Sequence, residues 1–110
     1  MPDSSVNVYG VAPAAAYNIE TLVAACVVPE GKMLAAVLVS GSGKVPAHFV
    51  LKKNGVPLLG KWTSVEQRNA DLSVMGQVRA TAGDTLSVYV TNDDSSGAQA
   101  FEASIMGTLF

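Results

Sequence analysis

Charge is scarce in this chain of 110 residues: Asp, Glu, Lys and Arg together make up 15%, against about 25% in an average soluble domain. A domain of this size normally covers itself with more charge, so part of its outer surface is expected to lie against another molecule. The net charge is -2 and no run of Lys or Arg exists, which removes the electrostatic footprint of a nucleic-acid-binding protein. Cysteine is all but missing. Cys26 alone cannot form an intrachain disulfide, and inside the apolar "LVAACVVP" it reads as a small core hydrophobe. Long apolar runs are missing too: "LVAACVVP" and "MLAAVLVS" are too short to cross a bilayer. "MPDSSVNVYG" has neither a basic leader nor the apolar stretch of a secretory signal. The expectation is a soluble protein without membrane insertion or standard export.

What the chain does have is a period of two. In "DTLSVYVTN", Leu86, Val88 and Val90 alternate with Ser87, Tyr89 and Thr91. In "AFEASIMGTLF", Phe101, Ala103, Ile105, Gly107 and Leu109 alternate with Glu102, Ser104, Met106 and Thr108. "DLSVMGQVRA" repeats the pattern through Leu72, Val74, Gly76 and Val78. Each reads as a half-buried strand. Turn chemistry separates the runs: Pro29 to Gly31, Gly41 to Lys44, Asn54-Gly55, Ala82 to Asp84 and Asn92 to Gly97. Asp84 is expected to accept backbone N–H groups within its turn. No amphipathic helix emerges; "APAAAY" at most holds one helical turn, which Pro13 weakens. The spacing predicts an all-β sandwich or barrel of about eight strands, the sandwich being one of two antiparallel sheets. Two of them, "TLVAACVV" and "MLAAVLV", are apolar on both faces. A sandwich covers only one face of each sheet, so the other is expected to meet a second chain.

Candidate chemistry is thin. "GSGK" lacks the glycine and the Ser/Thr that complete a phosphate loop, so it reads as a hairpin loop. "NDDSSG" opens like a calcium loop, but position twelve is Ala103, and Glu102 comes one residue early. That excludes a helix–loop–helix site and leaves a solvated loop, with a looser calcium site on Asp93 and Asp94 as the alternative. His48, the only histidine, alternates out of phase with Phe49 and shares a face with Val50, on the outer side or in an interface. Trp62, the only tryptophan, reads as a core or interface residue, or else as a sugar-stacking or protein-binding side chain. No triad, metal cluster or carboxylate pair appears, so neither an enzyme nor a cofactor is expected.

Read together, "VVPEGKMLAAVLVSGSGKVPAHFVLKKNGVPL", "LSVMGQVRATAGDTLSVYVTN" and "FEASIMGTLF" resemble the superfamily of tumour necrosis factor and the globular head of complement subcomponent q. The likeness rests on Pro29 with Gly31 (one residue closer than the family pattern), Leu51 with Asn54 and Gly55, Ala82 to Asp84, and a final strand from Phe101 to Leu109. It covers about three-quarters of the chain. The N-terminal portion is shorter than in the animal proteins and lacks their Asn/Tyr-rich entry strands. The sequence is therefore similar to the compact phage and microbial members, found as fibre-tip and tail-needle knobs and as capsid decorations.

The resemblance implies a jelly-roll sandwich of about eight to ten strands, assembled as a homotrimer. Its last strand is then expected beside the first in the inner sheet, packed toward the threefold axis, with the apolar C-terminus anchored. It further implies a domain over 18–110 behind an attachment arm over 1–17 carrying Val6, Val8 and Tyr9. Leu34, Ala36, Leu38, His48, Val50, Met106 and Phe110 are the expected trimer contacts. The function implied is a structural virion protein, a capsid decoration, cement or head-fibre component at the virion surface. It would be assembled in host cytoplasm on a capsid or tail protein. The absence of a stalk before the domain favours that reading. The alternative is a receptor- or glycan-binding knob working through loops around Trp62, Arg68, Asp93 and Asp94. The aromatic content of 6% argues against a sugar-binding face.

Overall fold

The architecture was obtained as a computed structural model that describes residues 4–72 and 78–110. Among the described residues nine strands follow one another: β1 (Ser4–Ala15), β2 (Glu20–Val27), β3 (Met33–Gly43), β4 (Ala47–Lys53), β5 (Val56–Thr63), β6 (Asn69–Asp71), β7 (Val78–Thr81), β8 (Thr85–Asn92) and β9 (Gln99–Leu109). They form two antiparallel sheets. The first runs β1-β9-β3-β6, with β7 also on β3; the second runs β2-β8-β4-β5. Along β3, β6 pairs with Ser40 to Ser42 and β7 with Met33 to Ala36, so the two divide one edge between them. Of the expected "DLSVMGQVRA" strand, residues 73–77 lie outside the described residues.

Alternation places the core where one buried face per sheet requires it. Leu86, Val88 and Val90 point inward from β8, and Phe101, Ala103 and Ile105 from β9. Two rings join the sheets: Phe49 of β4 meets Phe101 of β9 edge to face, centroids 5.9 Å apart at 81°. That is the favoured geometry for aromatic quadrupoles. Cys26 is buried among these side chains as expected, and burial raises its thiol pKa.

The glycines of "GSG" correct the expectation of a hairpin loop. Gly41 and Gly43 belong to β3, and the turn into β4 comes after them. A Cβ on Gly41 would lie 2.3 Å from Phe49 Cδ1, and one on Gly43 would lie 2.3 Å from Phe101 Cδ1. The missing side chains are the seats of the two rings. The other turns are as expected. Asn54 (φ 52) and Gly55 (φ 81) both take positive φ, as a tight right-twisted hairpin between β4 and β5 demands. Asp84 accepts the Thr81 N–H (2.9 Å), the Thr81 hydroxyl (3.1 Å) and the Asn54 amide (2.9 Å), tying two turns together at one end of the sandwich.

The N-terminal segment expected to be an arm forms β1. It pairs with β9 from Ser4↔Leu109 to Ala15↔Gln99, and Val6 and Val8 pack half-buried against the core. β9 therefore lies between β1 and β3. Its end is held where Met33 and Phe110 exchange backbone hydrogen bonds of 2.8 and 2.9 Å. No helical turn forms at Ala12 to Tyr17; the strand runs to Ala15 and Tyr17 bridges to Asn92.

Candidate functional site

The outer face of the first sheet is built from the alternate residues that the core does not use. Strand register arranges them in rows across β1, β9 and β3: Ser5–Thr108–Ala35, Asn7–Met106–Leu38, Tyr9–Ser104–Ser40 and Val11–Glu102–Ser42. Across these three strands the first three rows carry no charge; at the β3 edge Ala35 is paired with Arg79 and Ser40 with Asp71. Leu38 and Met106 sit side by side at the centre of these rows, 43% and 38% exposed. The fourth row holds one carboxylate, and hydroxyls from either side occupy it: Tyr9 Oη donates to Glu102 Oε2 (2.5 Å) and Ser42 Oγ to Oε1 (3.1 Å). The Tyr9 phenol pKa is raised, first by that hydrogen bond, then by burial and the Glu102 charge. A 580 Å³ depression beside this row is lined by Tyr9, Glu102, Lys44 and Arg68, among others.

The second sheet presents a different surface. Lys52 bridges to Glu20 across the ring of Tyr89, its ammonium 4.2 Å from the ring centroid. On the neighbouring strand pair, His48 lies opposite Trp62, and their rings stack with centroids 4.4 Å apart and planes 23° apart. Trp62 is 67% exposed, so it is no core residue.

The expected trimer contacts do not share one face. Leu34 and Ala36 point into the core. A bulge between Ala36 and Leu38 breaks the alternation, so only Leu38 of the three faces outward. Met106 joins Leu38, while His48 and Val50 lie on the second sheet. Phe110 is 41% exposed, with the Arg79 guanidinium 6.0 Å from its ring centroid. Tyr9, expected in the arm, stands on the outer face. Of the expected ligand-facing residues, Arg68 lies on the β5–β6 loop near the end of β3, where its carbonyl accepts the Gly43 N–H.

Asp93 and Asp94 follow β8. The Asp93 N–H bonds Pro46, while Asp94 accepts from the Ser96 N–H (3.0 Å) and the Gln99 amide (3.0 Å). The Ser96 N–H is the main cause holding the Asp94 carboxyl below its ordinary value. The loop is organised by a residue that alternation alone did not single out for that role, the fully buried Asn92. Its amide donates to Ala15 O (2.9 Å) and Gly97 O (3.0 Å), and its oxygen accepts the Asp94 N–H (2.8 Å). Among the described residues, no three His, Cys, Asp or Glu side chains gather as a metal site.

Fold and surface together define a two-sheet antiparallel β-sandwich with an open, largely uncharged sheet face. No family model matches the sequence, and no curated protein matches it.

Proposed function

We propose that this chain is a non-enzymatic structural protein that assembles as a homotrimer through the outer face of the β1-β9-β3 sheet. Its setting, on the resemblance described above, is the surface of a phage particle, as a capsid decoration or head-fibre component. The observation that carries self-association is the set of three uncharged rows centred on Leu38 and Met106. The centre of that face is depleted of charge as an interface core is, with Arg79 and Asp71 at its β3 edge where an interface has its polar rim. The strand order supports a jelly roll. With β6 and β7 counted as one edge, the sheets read 1-8-3-6 and 2-7-4-5, the arrangement of two interlocked Greek keys.

The experiment compares two charge insertions by sedimentation velocity. Met106→Lys puts a cation at the centre of the proposed interface, where each copy's charge meets its mates, a juxtaposition that costs several kcal/mol. Leu22→Lys places the same charge on the second sheet. Dissociation by the first and not by the second is the expected result. Equal behaviour of the two variants overturns the choice of face. The exposed Trp62 favours a second reading, recognition of a receptor or glycan.

A further inference from the structure

The strongest feature outside the proposed interface is the indole of Trp62, and its exposure is not casual. The ring is fixed from behind by the His48 imidazole, stacked at 4.4 Å. That imidazole in turn occupies the space a side chain at position 60 would take: a Cβ on Gly60 would lie 2.7 Å from His48 Nε2. Gly60, His48 and Trp62 thus form a stack that holds a large apolar ring in one orientation while leaving most of it in water. Beside it, where β5 approaches β6, lies a 320 Å³ depression lined by Trp62, Lys61, Gln67, Asn69, Asp71 and Ser40. Its floor loop is fixed by Ser64 N–H to Gln67 O (2.9 Å), Gln67 N–H to Ser64 Oγ (3.0 Å) and Gln67 Nε2 to Asn69 O (3.3 Å). The Lys61 ammonium and the Asn69 side-chain amide make no hydrogen bond among the described residues.

We propose that this depression is a saccharide-binding subsite, with a pyranose ring stacked on Trp62 and its hydroxyls bonded by Asn69, Lys61 and the Asp71 carboxylate. The proposal deepens the recognition reading and does not rest on self-association. The C–H face of a sugar ring carries partial positive charge and meets the negative face of an indole. Adjacent hydroxyls both donate and accept, which is what an amide, an ammonium and a carboxylate around one hollow provide. Protein hot spots differ, because an aromatic anchor there sits in a well-packed, fully desolvated setting ringed by contacts that exclude water. Here the surround is polar and concave, at the small end of ligand cavities. A nucleic acid is disfavoured by the -2 net charge and by the rim carboxylate.

Trp62 is the only tryptophan, so its emission reads this site alone. The test titrates the full chain with chitotriose, cellotriose and sialyllactose, each to about 20 mM, a range that captures the millimolar affinity of a single stacked subsite. The expected result is a saturable change in emission with at least one of them. It should weaken about tenfold in Asn69→Ala and in Lys61→Ala, the loss of roughly one hydrogen bond. No saturable change with any of the three overturns the proposal, as does a change that both variants leave untouched. An emission shift on raising protein concentration without sugar means that a second copy covers the indole, and also overturns it. The oligomer mass is read separately, so failure here leaves the self-association reading standing.

Discussion

Gly41→Ala offers the sharpest test of how the two sheets are joined. The added methyl would lie 2.3 Å from Cδ1 and 2.6 Å from Cε1 of Phe49, whereas carbon atoms rest at about 3.5–4.0 Å. The ring must therefore retreat by more than about 1 Å. It has nowhere to go: Phe49 is fully buried and braced edge-on by Phe101, whose own ring fills the seat at Gly43. Overpacking of this kind costs about 1–3 kcal/mol, and a rigid ring belongs at the upper end. Alanine also restricts the unfolded chain, which returns about 0.4–1 kcal/mol because Gly41 needs no positive φ. The clash wins by about 1–2 kcal/mol. For a chain of this length that lowers Tm by about 4–8 °C.

Thermal melts followed by near-ultraviolet circular dichroism would measure it, with urea midpoints as a check. Combining Gly41→Ala with Phe49→Leu should recover part of the loss, with a coupling of about 1 kcal/mol in the double-mutant cycle. A Gly41→Ala protein that melts at or above the wild-type temperature refutes the seating of Phe49 on Gly41.

Asp84 makes stability depend on acid. Its carboxyl is held at about 2, first by the Thr81 N–H, then by the Asn54 amide, the Thr81 hydroxyl and the Lys53 charge, against an ordinary 3.8. A carboxyl lowered by folding stabilises fully above its unfolded value and loses that contribution as pH falls through its folded value. Urea midpoints of wild type and Asp84→Asn should therefore differ at neutral pH and converge as pH falls from about 4 to about 2; parallel curves contradict the assignment. Asn92→Ala removes the amide that satisfies Ala15 O and Gly97 O and should cost about 1–3 kcal/mol in urea unfolding. An unchanged midpoint means that Asn92 does not organise the loop.

The strands whose alternation is clean in sequence, β8 and β9, are as read, because a sandwich strand with one wet face writes its burial in period two. Turns were legible for a local reason as well: Asn54-Gly55 supplies the positive φ that the β4–β5 hairpin requires, and Gly31 and Gly83 supply it in turns that cross from one sheet to the other. What escaped was non-local. "GSG" has the composition of a turn, and only Phe49 and Phe101, from elsewhere in the chain, make it strand. The arm over 1–17 is an expectation of the family resemblance and not of the residues, and the partner that makes β1 a strand, β9, lies at the other end of the sequence. The bulge at Ala36/Leu38 has no signature in the residues themselves, so Leu34 and Ala36 were grouped with Leu38 although they point the other way. Trp62 was singled out, but its exposure depends on the cross-strand pairing with His48.

Self-association is the central claim, and molar mass by light scattering across a dilution series tests it most directly. The expected result is a stable species of three times 11.3 kDa, unchanged on dilution. A monomer of 11.3 kDa at every concentration would contradict it, leaving a sandwich whose uncharged face meets only water.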